Sequence, residues 1–265
     1  MTSVQYKRNP LITVVCQVRF PPILTISEAV PAAFQEELGR NQYPKFDSLT
    51  KQHFQFNFEQ DQSGTFSIPA IDQTDSSKIY RFASEDATWM VDLTNTSLAV
   101  TTSCYSSWEE FGGRFGEIIT KFQQIYSPVF FERVGLRYIN AIQRTKLGLS
   151  LDTQWAELIR PFALGFLSDE PLRDKTSGYS SIAEVKSDNG VTTRVITALG
   201  QVKNGEQVQQ HASEVSFIID TDSFVGKTSI CDCLNTLMSL HQVATDTFQS
   251  IITEKLHEVM EPIQK

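Results

Sequence analysis

The stretch Glu132-Arg133-Val134-Gly135-Leu136-Arg137-Tyr138-Ile139-Asn140 sets two guanidinium groups, a phenol and an amide among apolar neighbours. Read as a strand, it puts Val134, Leu136, Tyr138, Asn140 and Ile142 on one face. Arg133, Gly135, Arg137, Ile139 and Ala141 fall on the other. Burying Arg137 or Asn140 there is costly unless each finds a partner. Two arrangements meet that demand. In one, Arg137 pairs with a buried carboxylate such as Glu184 and ties two parts of the chain together. In the other, Arg137, Tyr138 and Asn140 face a cleft and bind an anionic or polar ligand. Gly135, inside the strand, implies a bulge or a close approach by another group.

His241 is the fourth candidate for such a site. It falls in line with Leu234, Leu237, Met238, Ala244, Phe248 and Ile251 on the apolar face of a C-terminal helix. That placement suits a satisfied core histidine, or a base if Arg137 and Asn140 converge on it. Other chemistry is incomplete. Phe224-Val225-Gly226-Lys227-Thr228-Ser229 ends like a phosphate-binding loop, but the glycine required five positions before Gly226 is Thr221. A polar turn leading into the last helix is the simpler reading. No Gly-x-Ser-x-Gly occurs, and the residue that would complete a His-Glu-x-x-His motif from His257 is Glu261. Cys16, Cys104, Cys231 and Cys233 form no Cys-x-x-Cys pair, so they read as reduced, buried packing thiols. No metal and no cofactor is expected.

Hydropathy patterns supply the elements that position these residues. Ile12, Val14, Cys16, Val18 and Phe20 alternate as a strand that Pro21-Pro22 stops. A helix is predicted from Ser27 to Leu38, closed by Gly39. Strands follow at 53–59, 78–83, 88–93 and 97–104, the last two joined by a turn near Thr94-Asn95-Thr96. A helix begins at Ser106 or Ser107, with Glu109 and Glu110 favouring its N-terminal dipole. Its apolar set is Trp108, Phe111, Phe115, Ile118, Ile119, Phe122 and Ile125. After Pro128 the order begins again: a strand over 130–142, a short helix over 153–159, then strands at 180–185, 191–200 and 213–220. Asp188-Asn189-Gly190 is a hairpin-turn signal, and a long helix runs from Ser229 to Met260. The fold expected is α+β, in two similarly built halves, 1–128 and 129–265. Antiparallel sheets would carry helices on one face and leave the other free. Residue identity between the halves is poor, so any repeat is architectural.

The 265 residues carry 23 Lys and Arg against 31 Asp and Glu, a net charge of -8, with 40% hydrophobic content. That balance disfavours nucleic acid held mainly through phosphate neutralisation, without removing a local basic groove. No run reaches the roughly 18 residues of a membrane span. The first ten residues lack the apolar core of a secretory signal, so a cytoplasmic location is expected.

Several stretches carry a resemblance: Pro10-Leu11 through Phe20, Tyr80-Arg81-Phe82-Ala83-Ser84, and Tyr105-Ser106-Ser107-Trp108-Glu109-Glu110-Phe111. Gly135-Leu136-Arg137-Tyr138-Ile139-Asn140 and the run from His241 through Ala244, Phe248, Ile252 and Thr253 complete it. In this order they resemble a sporadically distributed prokaryotic protein family of about 260 residues, with Gly-Leu-Arg-Tyr-Ile-Asn as its most specific part. The resemblance implies no assigned activity, cofactor or catalytic residue. Its patchy distribution points to mobile-element or phage-defence settings. The expected function is a non-enzymatic binding or assembly module, working as a homodimer or beside another protein subunit. The alternative is a hydrolase acting on a nucleotide or nucleic acid, with Arg137, Asn140 and His241 near its site.

Overall fold

The computed structural model describes residues 4–50, 78–201 and 214–263. The strand predicted at 53–59 lies outside them, as do His53 and His211.

A two-residue strand, β1 (Gln5–Tyr6), precedes β2 (Leu11–Arg19), the alternating segment ended by Pro21-Pro22. The helix predicted from Ser27 is instead two short ones, α1 (Leu24–Glu28) and α2 (Ala32–Leu38). Pro31 lies between them, and a residue before proline is pushed out of the helical region, so Val30 breaks the run. Ser27 therefore sits inside α1 and caps nothing, while Gly39, at φ 89°, closes α2 as expected. Next come β3 (Lys45–Thr50), β4 (Lys78–Ala83), β5 (Trp89–Leu93) and β6 (Ser97–Thr102). The 19-residue α3 (Trp108–Tyr126) starts at Ser107, whose hydroxyl accepts from the Glu110 N–H. It stops at Ser127, left-handed at φ 46°, just before Pro128.

The signature strand is β7 (Arg133–Ile142), three residues shorter at its start than the pattern predicted. The connection beyond it breaks into α4 (Trp155–Leu158), α5 (Pro161–Leu164), a 3-10 turn (Gly165–Ser168) and α6 (Glu170–Arg173). Strand β8 (Ser180–Lys186) turns at Gly190, φ 82°, into β9 (Thr192–Gly200). Strand β10 (Ser216–Val225) runs five residues beyond the predicted end. The single helix predicted over 229–260 is two, α7 (Cys233–Ile251) and α8 (Glu254–Val259). Ile252 between them is extended and bridges to Ile159, and Thr253 caps α8 by accepting from the Leu256 N–H. A last strand, β11 (Pro262–Ile263), pairs with β1.

The remaining nine strands form one antiparallel sheet in the order β3-β4-β5-β6-β2-β7-β10-β9-β8. At its middle β2 and β7 lie side by side, with Val14 opposite Tyr138. On either flank the strand that precedes a long helix, β6 or β10, lies against the central strand, and earlier strands lie outside it. The sheet is continuous from one half of the chain to the other.

All the helices that enter the core lie on one side of this sheet. Val14, Cys16, Val18, Val100, Val134 and Leu136 pack against Phe111, Phe115 and Phe122 of α3 and Leu237 and Leu240 of α7. A second cluster joins Ile142, Phe217 and Ile219 to Trp155, Leu158, Leu164 and Leu256. Both clusters take their sheet residues from one face only. This is α+β architecture, with 33% of the described residues in helices and 34% in strands. Among the described residues, no helix is long and apolar enough to cross a membrane.

Candidate functional site

On the helix-free face, strand register lines up Glu184, Arg194, Asp222, Arg137 and Val15 across four strand pairs. Charges thus alternate along the row. Arg137 reaches diagonally past Asp222, its direct neighbour, to Asp220, with Nε and Nη2 donating to the two carboxylate oxygens at 2.8 and 2.5 Å. Arg133 likewise reaches Asp222, 2.8 Å from each oxygen, and lies 4.5 Å over the Phe224 ring. Toward the other edge, Arg81 binds Asp92 through two contacts of 2.7 Å. In the Arg137 and Arg81 pairs Nε and Nη2 each donate to a separate oxygen. Two such parallel N–H···O bonds fix the plane of both partners, which a guanidinium offers and an ammonium does not. Arg133 makes both of its contacts through Nη2.

The carboxylate that Arg137 requires is therefore Asp220, and the expectation of Glu184 is corrected. Glu184 sits on the edge strand and accepts from Arg194 at 2.8 and 3.1 Å, with about half of each side chain exposed. Asp220 is 3% exposed at its side chain and Arg137 16%. Burial pushes the Asp220 carboxyl upward while Arg137 pulls it back. For Arg137, desolvation works against the charge but the hydrogen bonds and charge of Asp220 outweigh it. The bidentate geometry is that of an ion pair.

Gly135 is explained by the same network. A Cβ built there would run into the guanidinium of Arg133. The Arg133 guanidinium lies across the glycine on its way to Asp222, so the expected close approach is made by a side chain two residues away on the same face.

Tyr138 and His241 meet on the opposite face. The Tyr138 hydroxyl is 2.8 Å from His241 Nδ1, a hydrogen bond whose direction is set by the imidazole tautomer. The imidazole stacks on Trp108, centroids 4.1 Å apart and planes within 2°. Tyr105 packs edge-on against Tyr138 at 6.0 Å. Burial pushes the Tyr138 phenol well up, with Tyr105 adding to it. The Tyr105 phenol is raised to about 12, chiefly by burial. Asn140 is buried farther along β7, with its amide 3.4 Å from the Ile219 carbonyl, at the long limit for a hydrogen bond.

The four candidate residues are thus divided. Tyr138 and His241 come together, Asn140 lies along the same strand face, and Arg137 is on the other side of the sheet. Alternation along β7 enforces this separation, because residues one apart point to opposite faces. Sequence reasoning missed Arg133, Asp222, Asp220 and Trp108. A signal existed for the acids: Asp220-Thr221-Asp222 within a strand puts both carboxylates on one face, where they require cations from a neighbour.

The other motifs serve the fold. Thr228, in the Gly-Lys-Thr turn, exchanges backbone hydrogen bonds with Phe131, and Lys227 lies 4.3 Å over the Phe130 ring. Two cysteines depart from expectation: Cys16 and Cys233 are buried, but Cys104 and Cys231 are exposed. Among the described residues, no group of three His, Cys, Asp or Glu side chains is placed to hold a metal ion. Compared with known proteins, the chain matches no family model and no curated protein.

Proposed function

We propose that this chain is a non-enzymatic binding or assembly module, acting as a homodimer or as one subunit beside another protein. One observation carries the reading. The outer strand β8 is exposed at all seven positions, with Ile182 63% and Val185 54% open. Natural sheets rarely leave a long edge open, because its unpaired N–H and C=O groups template another strand.

The polar residues that invite a catalytic interpretation have internal work. Arg133 and Arg137 hold carboxylates, and Tyr138 holds His241. The placement of Arg137 on one sheet face, and of Asn140 and His241 on the other, supports the module reading over the hydrolase alternative. The net charge of -8 and the carboxylate pairing of Arg81, Arg133, Arg137 and Arg194 favour a protein partner over nucleic acid. A mobile-element or phage-defence setting rests on the family resemblance.

Sedimentation equilibrium of the purified chain, together with affinity capture on the immobilised chain, tests the module reading. A mass above 29.9 kDa, or a retained protein displaced by free chain, is expected. A strict monomer that retains nothing overturns it.

A further inference from the structure

We infer that two copies of this chain join through their β8 strands, antiparallel across a two-fold axis at Ile182, extending the sheet across the dimer. The inference rests on the module reading and names its partner and surface.

Backbone phase comes first. The Leu199 N–H donates to the Tyr179 carbonyl, and the Ser187 N–H donates to the Val191 carbonyl. In an antiparallel pair, residues two apart turn their backbone groups the same way. Positions 179, 181, 183, 185 and 187 therefore face β9, while Ser180, Ile182, Glu184 and Lys186 turn theirs outward. Pairing with β9 is regular from Ser180 to Lys186, without a bulge. The strand has no proline, and among the described residues no other strand pairs with its outer side.

Side chains then choose the register. A two-fold axis at Glu184 would set two carboxylates opposite each other, which is unfavourable. An axis at Ala183 would put Ile182 against Glu184. With the axis at Ile182, the two isoleucines meet, and Ser180 faces Glu184 with a hydroxyl able to donate to the carboxylate. The same register lays Val185 of one copy beside Tyr179 of the other. Tyr179, Gly165, Phe166, Asp169, Ser180 and Ser181 line a cavity of about 420 Å³ at that point. Gly178 then stands opposite Lys186, where the missing side chain leaves room.

Area supports the same choice. Phe166, which lines this cavity from the 3-10 turn, and Phe162, in the α5 segment just before that turn, are each 69% exposed. At the ~150–250 Å² of an aromatic side chain, the exposed parts of Phe162 and Phe166 alone amount to roughly 250 Å². That is about a third of the ~800 Å² per partner in a standard interface, to which Ile182 and Val185 add. The main-chain edge and the polar side chains from Gly178 to Lys186 contribute further area.

The test uses the whole chain. Sedimentation should give about twice 29.9 kDa, and Ile182→Lys should raise the dissociation constant at least tenfold by opposing two ammonium groups. Because Ile182 is largely exposed, this variant should keep the parent's circular dichroism and melting temperature. In a Cys104→Ser/Cys231→Ser background, Ile182→Cys should form a disulfide-linked dimer on mild oxidation. Hydrogen-bonded antiparallel partners lie ~5.5 Å apart between Cα atoms, inside the disulfide range. Ala183→Cys should not cross-link. A dimer unaffected by Ile182→Lys, or one cross-linked through position 183 instead, overturns the interface while leaving the module reading standing. A monomer that captures a different protein does the same. A monomer that captures nothing removes both.

Discussion

Arg137 is the residue whose role is most sharply defined by its surroundings. An arginine on an exposed sheet face would contribute little, but Asp220 is nearly closed to solvent and has Ile139 and Ile196 opposite it on adjacent strands. Removing one partner of a buried ion pair leaves an uncompensated charge, which costs about 3–5 kcal/mol. Arg137→Met should therefore lower unfolding free energy by about that amount. The double variant Arg137→Met/Asp220→Leu should recover most of the loss, as urea denaturation would show. Equal losses in the single and double variants would refute the pairing as the source of the cost. Gly135 belongs to the same account, because a Cβ there would push the Arg133 guanidinium from its path to Asp222.

Helix α3 links a local capping choice to the packing around His241. Ser107 supplies the cap, and Trp108, the next residue, is the plane on which His241 lies. The first turn of α3 therefore fixes both an end of the helix and one wall around the Tyr138–His241 pair. Ser107→Ala should cost about 1 kcal/mol in a urea titration with unchanged slope, the usual effect of losing a side-chain cap. It should also raise amide exchange in the first turn of α3 before the rest of the helix. A protected first turn would show that tertiary packing, and not the cap, holds it. Helices α7 and α8 carry a related lesson. Their apolar spacing is that of one helix, yet the bridge from Ile252 to Ile159 takes that residue out of helical geometry.

Across the molecule, one sheet joins both halves through β2 and β7, and its core cysteines report on its opening. Cys16 is 0% and Cys233 1% exposed, on β2 and at the start of α7. Burial raises the Cys16 thiol well up, with Cys233 adding to it, and takes Cys233 to about 12. Since the thiolate is the nucleophile, a maleimide should modify Cys104 and Cys231 quickly in native buffer. Cys16 and Cys233 should react only after global unfolding in denaturant. Mass spectrometry of the labelled chain distinguishes these cases, and four modified thiols within minutes of native labelling would contradict a cooperatively closed core.

Composition and period alone determined the α+β class, β2, β4, β9, the start of α3 at Ser107 and the hairpin turn at Gly190. In each, a short-range signal such as alternation, a cap or a turn residue agrees with the packing around it. Sequence also identified the Gly135–Asn140 segment as constrained. It did not reveal that Tyr138 and Arg137 serve opposite faces in separate networks, because choosing a partner depends on which strand lies alongside. Asp220 is 83 residues from Arg137 and His241 is 103 from Tyr138. Only the placement of β10 against β7, and of α7 across the same strand, brings these groups into contact. Tertiary structure likewise decided that β8 is an outer strand, since its sequence is equally compatible with a place inside the sheet.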